Sequence, residues 1–337
     1  MDRRRRPATI GLSRMVSPGC RSFLIPPASA DVRMSVSSTD ERPRERPVTV
    51  IGAGAVGTSL ARRMAEADIP VAAVISRDGS TAERLAAAVD ASVSGSNMEA
   101  LPASSRAVVL CVPDDAIGDV AYRLAEIDHP WHETVVAHTS GAVPASALGA
   151  LSEKGAPVLS MHPMQTFPGP DHPEAFDGIF VGLEGDAIAA EYGVSLVRRL
   201  GARPLKLSAD DKTRVHAAAA LASNGLAALL AVVREVLGTA GIGPGDATAV
   251  VQPLIDRTWS NLSQESPESV MTGPVSRGDR GTIRKHLDAL QAVAPHLLPV
   301  YCALAKEQVR VARRADKLTE DDAGAILDLL RSTDSYT

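Results

Sequence analysis

The sequence predicts an α/β fold, a Rossmann-like doubly wound parallel sheet, followed by an all-α C-terminal domain. Three observations predict it. A glycine turn follows a short apolar strand that begins at Val48, as at the phosphate-binding turn of dinucleotide-binding folds. Strand and helix patterns then alternate as far as Leu207, as a parallel sheet with crossover helices requires. After Ser208 only helix patterns follow.

Length and composition are sufficient for two domains with a sizeable core, because the chain has 337 residues and a hydrophobic fraction of 45%. We assign residues 1–46 to a disordered tail, since they are rich in Arg, Pro and Ser and lack periodicity. An alternative is that the native chain begins at Met34. The Rossmann-like domain is then expected over residues 47–208 and the helical domain over 209–331, with a tail at 332–337.

Charge and cysteine content exclude several classes of function. Ten arginines and five acidic residues give residues 1–47 a charge of +5, so the net charge of −5 leaves −10 on the rest of the chain. An acidic body argues against nucleic-acid binding. Three cysteines, Cys20, Cys111 and Cys302, are too few for a disulfide framework and favour a reducing, cytoplasmic compartment. No apolar run reaches about 18 residues, so we expect no membrane span.

The glycine turn is the predicted cofactor site. Gly52 permits the tight turn, Gly54 lets the backbone approach a pyrophosphate, and Gly57 allows the following helix to pack closely on the strand. The pyrophosphate would lie at the N-terminus of that helix. The predicted contact residues of the turn are Gly52, Ala53, Gly54, Ala55, Val56 and Gly57. An ordinary turn without a ligand is the alternative.

The end of the second predicted strand favours NADP(H) over NAD(H). An acidic residue at this place binds the ribose hydroxyls in folds that prefer NAD. Ser76 and Arg77 stand there instead, and Asp78 comes only after them. A Ser-Arg pair can receive a 2′-phosphate, so we predict NADP(H), with a solvated loop arginine as the alternative.

Val112 and Pro113 lie at the end of a predicted strand that begins at Ala107. In open α/β sheets, a bound cofactor lies along the ends of such strands. We therefore add both residues to the predicted cofactor site. Asp114 or Asp115 is expected to cap the next helix, because a carboxylate can accept hydrogen bonds from its unpaired N–H groups.

Histidine-containing clusters follow the next two predicted strands. The carboxyl ends of strands are where ligands bind in such sheets. We expect Ser140 to contact the cofactor and His138 and Gln165 to contact the substrate. Hydride transfer to a carbonyl or imine also needs a proton donor or acceptor, and His162 titrates near neutrality. The alternatives are packing or capping of the strand ends by the histidines and capping of a turn by Ser140.

The helical domain is predicted to contain helices at residues 210–239, 244–263, 281–290, 295–313 and 320–330. The first is long and rich in alanine. It carries Lys212 and His216 on one face, with Asn224 off toward one side. Such a helix commonly forms the wall between two domains and a dimer surface, so we expect a homodimer through this domain.

The order of these motifs resembles a family of Rossmann-like oxidoreductases that carry an all-helical C-terminal domain of unknown function. The motifs that carry the resemblance are the glycine turn, Ser76-Arg77, Val112–Asp115, His138–Gly141, His162–Phe167 and Gly273–Asp279. The resemblance covers about residues 47 to 331. It extends to a wider group, the 6-phosphogluconate dehydrogenase-like proteins. This group includes pyrroline-5-carboxylate reductases, ketopantoate reductases, prephenate dehydrogenases and β-hydroxyacid dehydrogenases. The resemblance implies hydride transfer with NADP(H).

The resemblance also implies roles for individual residues. Prephenate dehydrogenases carry a similar His-Pro-Met whose histidine serves the substrate, which points to His162. Lys212 resembles the helix lysine of β-hydroxyacid dehydrogenases, which donates a proton. Four residues after that lysine the family has Asn, whereas this chain has His216. His216 is therefore either a second catalytic candidate or a histidine of the core. Asn224 lies where the family places polar residues and is expected to bind substrate.

Arg277 is the predicted anchor of the substrate, because a guanidinium fork matches the geometry of a carboxylate. The alternative is a turn held by an Arg-Asp pair, with Asp279 capping the next helix. The chain is thus expected to reduce or oxidise a small anionic oxo, imino or hydroxy substrate. A prephenate-dehydrogenase-like enzyme and a non-catalytic NADP(H)-binding sensor or assembly protein are the alternatives.

Overall fold

A computed structural model describes residues 47–169 and 171–332. The predicted tails lie outside the described residues, except for Ser332, and so does the alternative start at Met34. The strands are β1 (Val48–Ile51), β2 (Val71–Ile75), β3 (Val93–Gly95), β4 (Ala107–Leu110), β5 (Val135–His138), β6 (Val158–Pro163), β7 (Phe180–Gly185) and β8 (Arg203–Lys206). The helices between them are α1 (Ala55–Glu66), α2 (Gly79–Ala88), α3 (Ile117–Ala125), α4 (Gly149–Glu153) and α5 (Ala187–Arg199).

These strands form one sheet in the order β3-β2-β1-β4-β5-β6-β7-β8. Neighbouring strands are parallel except β6 and β7, which pair antiparallel with Met161 opposite Leu183. The predicted Rossmann-like, doubly wound fold is therefore confirmed. Because the chain winds outward in both directions from β1 and β4, a crevice opens at their carboxyl ends, where such folds bind ligands.

Burial on both faces of the sheet explains why the strands read as continuous apolar runs. All four residues of β1 are buried. Val50 packs on one side with Leu60 and Met64 of α1, while Ile51 packs on the other side with Leu124 of α3. Successive side chains of a strand point to opposite faces. The two helical layers thus cover the sheet and leave its carboxyl edge for the site.

From Ala209 onward the described chain is helical, as predicted. The helices are α6 (Ala209–Ala220), α7 (Leu226–Thr239), α8 (Pro244–Leu262), α9 (Pro267–Val270), α10 (Arg280–Val293), α11 (Leu298–Arg314) and α12 (Glu320–Arg331). A π-helical turn, Leu221–Gly225, joins α6 to α7, so the two run on as one helix of 31 residues. α10 to α12 enclose a small core that includes Ile283 and Cys302.

The long helix differs from the sequence expectation in one respect. Ala209–Thr239 is long and apolar enough to cross a membrane, by length and composition alone. Residues 215–233 carry no charged side chain, so the expectation that no apolar run reaches this length was wrong. The criterion rests on length and composition alone, and one such helix is weak evidence for a membrane.

Candidate active site

The glycine turn leaves open space in front of helix α1. Gly52 has φ +104°, and a Cβ there would lie 2.2 Å from the carbonyl oxygen of Cys111. A Cβ on Gly57 would lie 1.9 Å from the oxygen of Gly52, whereas one on Gly54 would meet nothing within 4 Å. Gly54 is also the N-cap of α1 and offers no side chain to its first N–H groups. The turn therefore presents backbone donors to a space that an anion can enter.

A cavity of about 410 Å³ lies beside this turn, at the carboxyl ends of β1, β2 and β4. Seven of the predicted cofactor residues line this cavity: Gly52, Ala53, Gly54, Ser76, Arg77, Val112 and Pro113. Ala55, Val56 and Gly57 lie behind the turn, in the first turn of α1. The lining residues that the sequence did not single out include Ser96, Met98, Asp119 and Arg123. Asp119 and Arg123 are four residues apart on α3, so the same face of that helix borders the cavity.

Asp78 is engaged in capping α2. Its carboxylate accepts hydrogen bonds from the Ser80 N–H at 3.0 Å, the Ser80 hydroxyl at 2.8 Å and the Thr81 hydroxyl at 2.7 Å. Hydrogen bonds from Thr81 and Ser80 lower the pKa of Asp78 to about 2. The one acidic group near the end of β2 is therefore committed to the helix, while Ser76 and Arg77 border the cavity.

Cys111 lies against the glycine turn, where its carbonyl oxygen is 2.2 Å from the place of a Cβ on Gly52. Burial raises the pKa of its thiol to about 12. The thiol is therefore protonated at neutral pH, and it is no nucleophile in this state.

Lys212 enters the site from α6 as a buried cation. Its side chain is 3% exposed. Nζ donates hydrogen bonds to the carbonyl oxygen of Ser140 at 2.6 Å and to the hydroxyl of Ser160 at 2.5 Å. Burial lowers the pKa of Lys212 to about 8, although the negative charges of Glu184 and Asp114 oppose the shift. The ammonium thus loses its proton much closer to neutral pH than an ordinary lysine does.

His162 and His216 meet above Gly141. Their rings are 5.3 Å apart in an edge-to-face arrangement. A Cβ on Gly141 would lie 2.2 Å from Nδ1 of His216 and 2.7 Å from Nε2 of His162, so only glycine fits there. Nδ1 of His216 is buried and has no hydrogen-bond partner within the described chain. The structure therefore brings together the three predicted catalytic residues, because Lys212 donates to Ser140, next to Gly141, and its positive charge acts on His162.

The charge state of His162 differs from the sequence expectation of a group titrating near neutrality. Burial, followed by the positive charges of Lys212 and His216, lowers the pKa of His162 to about 4. Its imidazole is neutral at pH 7. It can donate or accept a hydrogen bond there, whereas the proton available near neutral pH resides on Lys212.

His138 and Ser140 support the loop that carries Gly141. Nε2 of His138 donates to the carbonyl oxygen of Pro144 at 3.2 Å, and Nδ1 accepts from the Ser140 N–H at 3.2 Å. The Ser140 hydroxyl accepts from the N–H groups of residues 142 and 143. Both ring nitrogens and the hydroxyl are thus engaged within the loop. The predicted ligand contacts of these two side chains gain no support, and the alternative of capping and packing describes them better.

Neither Asp114 nor Asp115 caps helix α3, so that prediction was wrong. The N-cap of α3 is Ala116 and makes no side-chain cap hydrogen bond, and neither does Pro113 in front of the preceding turn. The carboxylate of Asp114 instead acts on the proton site, where its negative charge raises the pKa values of Lys212 and His162. The sequence pointed to capping because an acidic residue at the start of a helix commonly has that role, and it gave no sign that Asp114 lies near Lys212.

A cleft of about 810 Å³ opens next to the histidine pair, between the end of β6 and the long helix. Its polar lining is His162, Gln165, Thr166, His216, Ser223 and Asn224, and its apolar lining includes Met164, Phe167, Ala219, Ala222 and Trp259. The π-helical turn contains both Ser223 and Asn224, and such turns are frequent at functional sites. No aspartate, glutamate, lysine or arginine borders this cleft within the described chain, so its polar lining consists of histidines, amides and hydroxyls.

Arg277 lies apart from this cleft. It is exposed in the loop before α10 and is not one of the residues that border the cleft. Asp279 caps α10, as predicted, by accepting hydrogen bonds from the N–H and hydroxyl of Thr282 at 3.0 and 2.7 Å. Within one chain the structure therefore does not bring Arg277 to the site.

Comparison with known proteins identifies the two parts of the chain. Residues 32–163 match a Rossmann-like domain, and residues 179–308 match a domain of unknown function, DUF2520. No curated protein matches the chain.

Solved structures share the fold. A candidate NADP oxidoreductase from Bacteroides fragilis is 24% identical, with 78% of this chain and 98% of that chain covered and a TM-score of 0.63. A reductive aminase from Aspergillus terreus, in complex with NADPH and ethyl levulinate, is 17% identical, with 81% and 99% covered and a TM-score of 0.58. A pyrroline-5-carboxylate reductase from Coxiella burnetii is 14% identical, with 81% and 98% covered and a TM-score of 0.52.

Proposed function

We propose that this chain, which joins a Rossmann-like domain to DUF2520, is an NADP(H)-dependent oxidoreductase. Its substrate would be a small oxo, imino or hydroxy compound that bears a carboxylate. One observation carries the proposal: Lys212, His162 and His216 converge at the carboxyl edge of the sheet that also holds the glycine turn. The oxidoreductases that share this fold support it.

The glycine turn and its cavity are suited to the cofactor. Gly52 and Gly54 would cradle the pyrophosphate at the N-terminus of α1, and Ser76 and Arg77 would receive the 2′-phosphate. Asp78 is engaged in capping α2, and Ser76 and Arg77 border the cavity in its place, which favours NADP(H) over NAD(H). When bound, this cofactor supplies or accepts the hydride.

Lys212 would supply the proton. An ammonium has three N–H donors, and the Ser140 carbonyl and Ser160 hydroxyl take two of them. The third is available to the oxygen or nitrogen of a bound carbonyl or imine. A pKa of about 8 keeps the group protonated at neutral pH and close to the value at which proton transfer is efficient.

His162, which is neutral at pH 7, and His216 would orient the substrate. His162 borders the cleft and can hydrogen-bond the reacting group without competing for the proton of Lys212. The apolar lining of the cleft would exclude water. Neither a nucleic acid nor a membrane is part of the proposal, and the few, scattered cysteines favour the cytoplasm.

Turnover of NADPH with 2-oxo acids and cyclic imino acids, and of NADP+ with β-hydroxy acids, tests the proposal. We expect activity with at least one class, a loss of about 100-fold or more in Lys212→Met, and little change in the control Lys206→Met. Lys206 is an exposed lysine of β8.

Two outcomes would favour the alternatives. Tight binding of NADPH without turnover, unaffected by Lys212→Met or His162→Ala, would indicate a sensor or assembly protein. Formation of an aromatic product that depends on His162 would indicate a prephenate-type dehydrogenase.

A further inference from the structure

A second pocket, of about 560 Å³, lies at the opposite end of strand β6 from the cleft. We name it the rear pocket. Val158, the first residue of β6, borders it, whereas His162, near the end of the same strand, borders the cleft. The polar lining of the rear pocket is Ser146, Ser152, Glu153, Glu184 and Asp186, and all of these except Glu184 are exposed. Water therefore reaches this pocket without passing through the cleft.

Lys212 lies between the two pockets. Side chains two residues apart on a strand point to the same face, so Val158, Ser160 and His162 follow one another along one face of β6, about 6.6 Å apart. The ammonium of Lys212 donates to the hydroxyl of Ser160, the middle one of the three. The proton donor is thus one residue pair away from the cleft and one residue pair away from the rear pocket.

Glu184 connects the rear pocket with Lys212. It pairs with Ser160 across the antiparallel ladder of β6 and β7, so the two side chains share a face, with Cβ atoms about 4.5–5.5 Å apart. Its Oε2 accepts a hydrogen bond from the Ala145 N–H at 2.8 Å, and its negative charge raises the pKa of Lys212. Three other titratable groups interact with this lysine by charge, and none of them borders the rear pocket: Asp114, His138 and His162.

Reduction would leave Lys212 without a proton. In the proposed reaction the ammonium gives one proton to the oxygen or nitrogen of the substrate, while the reacting carbon receives the hydride. A neutral amine remains, and it must take up one proton from water before the next turnover. The side chain is only 3% exposed, and bound ligands would fill the cleft. The amine therefore needs an entrance for protons that the substrate does not block.

We propose that the rear pocket is this entrance and that Glu184 relays protons from its water to Lys212. The inference rests on the proposed function, because the relay replaces the proton that reduction consumes. It gives the carboxylate of Glu184 a role beyond its hydrogen bond to the loop at Ala145.

The relay moves one proton in two linked transfers. In the charged state the Ser160 hydroxyl donates to the carbonyl oxygen of Ser140, but a neutral amine offers a lone pair to which this hydroxyl can turn. The hydroxyl then gives its proton to Nζ of Lys212 while its oxygen takes a proton from the carboxyl group of Glu184, directly or through one water. The carboxylate that is left takes a proton from hydronium in the rear pocket.

Hydrogen exchange of the Lys212 ammonium tests the relay without turnover. Its nitrogen-15 resonance is followed at pH 6 in the presence of NADP+, where the amine is protonated. We expect Glu184→Gln to slow exchange by about tenfold or more, because an amide keeps the hydrogen bond to Ala145 but cannot relay a proton. Acetate should restore exchange in this variant, since a small acid fits the rear pocket. Glu153→Gln, in the same pocket, is the matched control and should leave the rate unchanged.

The sign of the change separates the relay from a simple effect of charge. Loss of a negative charge near Lys212 makes its ammonium more acidic, which by itself speeds the loss of a proton. Asp114→Asn removes such a charge away from the rear pocket and should therefore exchange faster, whereas Glu184→Gln should exchange more slowly. Faster or unchanged exchange in Glu184→Gln would overturn the relay.

A second variant keeps Glu184 in place, in case Glu184→Gln does not fold. Ser152 is an exposed residue of α4 that lines the rear pocket. Ser152→Leu narrows the pocket from its open side and should also slow exchange. An unchanged rate in this variant would place the proton entrance elsewhere.

Turnover separates the relay from the proposed function. We expect Glu184→Gln to lower kcat more than kcat/KM on the acidic plateau of the pH profile, because the amine regains its proton slowly between turnovers. The solvent deuterium isotope effect on kcat should rise at the same time. Turnover with unchanged exchange in Glu184→Gln would overturn the relay alone. Slowed exchange without turnover on any substrate would count against the proposed function alone.

Discussion

The ammonium of Lys212 donates a hydrogen bond of 2.5 Å to the hydroxyl of Ser160, although the two residues lie 52 positions apart in the chain. Ser160 in turn donates to the carbonyl oxygen of Ser140 at 3.2 Å, and that oxygen also accepts from Lys212. A closed triangle of hydrogen bonds therefore fixes the amine on the strand that, two residues later, carries His162. Burial outweighs these acceptors and the negative charges of Glu184 and Asp114, so the ammonium holds its proton less firmly than in water.

The pH dependence of reduction should reflect this arrangement. If protonated Lys212 is the donor, kcat/KM for reduction falls as pH rises above about 8, because the amine deprotonates there. Ser160→Ala removes a hydrogen-bond acceptor that favours the charged form of Lys212. The alkaline limb of the pH profile, where activity falls, should therefore move to lower pH by about one unit. A pH profile of both proteins measures the shift. A limb that remains near the ordinary value for lysine would rule out Lys212 as the donor.

Asp114 and Asp115 form a natural pair of test and control. The negative charge of Asp114 raises the pKa of Lys212, so Asp114→Asn should move the alkaline limb to lower pH. The neighbouring Asp115→Asn should leave the limb unchanged. Equal behaviour of the two variants in the same pH profiles would show that Asp114 does not act on the proton site.

Arg77 should set the preference for the phosphorylated cofactor. Arg77→Asp removes a guanidinium from the cavity and should weaken NADPH by about 10- to 100-fold, since a hydrogen bond to a charged group contributes about 1.5–3 kcal/mol. NADH should change little. Titration of both nucleotides measures this, with the exposed Arg84→Asp of α2 as control. An equal loss for NADPH and NADH would contradict the 2′-phosphate role.

Much of the fold could be predicted because its signals are local. The buried strands are apolar runs, the crossover helices show helical periodicity, and the glycine turn has spacing that few other structures require. β3 was missed because it has only three residues at the sheet edge, none of them buried. The antiparallel direction of β7 was missed as well, since an apolar run does not reveal the direction in which it pairs.

The site was harder to predict because it depends on contacts between distant residues. Strand ends located His162, and helical spacing placed Lys212 and His216 together. The lowered pKa of His162 arises from burial beside Lys212, which no spacing reveals. His138 looked equivalent to His162 in the sequence, yet its ring nitrogens bond Pro144 and Ser140 of the loop that follows it.

Gly141 should tolerate no side chain, and this provides a last test of the histidine pair. Gly141→Ala would put a methyl group 2.2 Å from Nδ1 of His216 and 2.7 Å from Nε2 of His162. We expect a loss of about 1–3 kcal/mol in the free energy of unfolding and a fall in turnover, because one or both rings must move. Gly149→Ala in α4 is the control, since nothing lies within 4 Å of a Cβ there, and its stability should stay within about 1 kcal/mol of the unmodified chain. Urea unfolding and NADPH turnover measure the two effects. A Gly141→Ala protein with unchanged stability and unchanged turnover would show that the two imidazoles do not meet above this glycine.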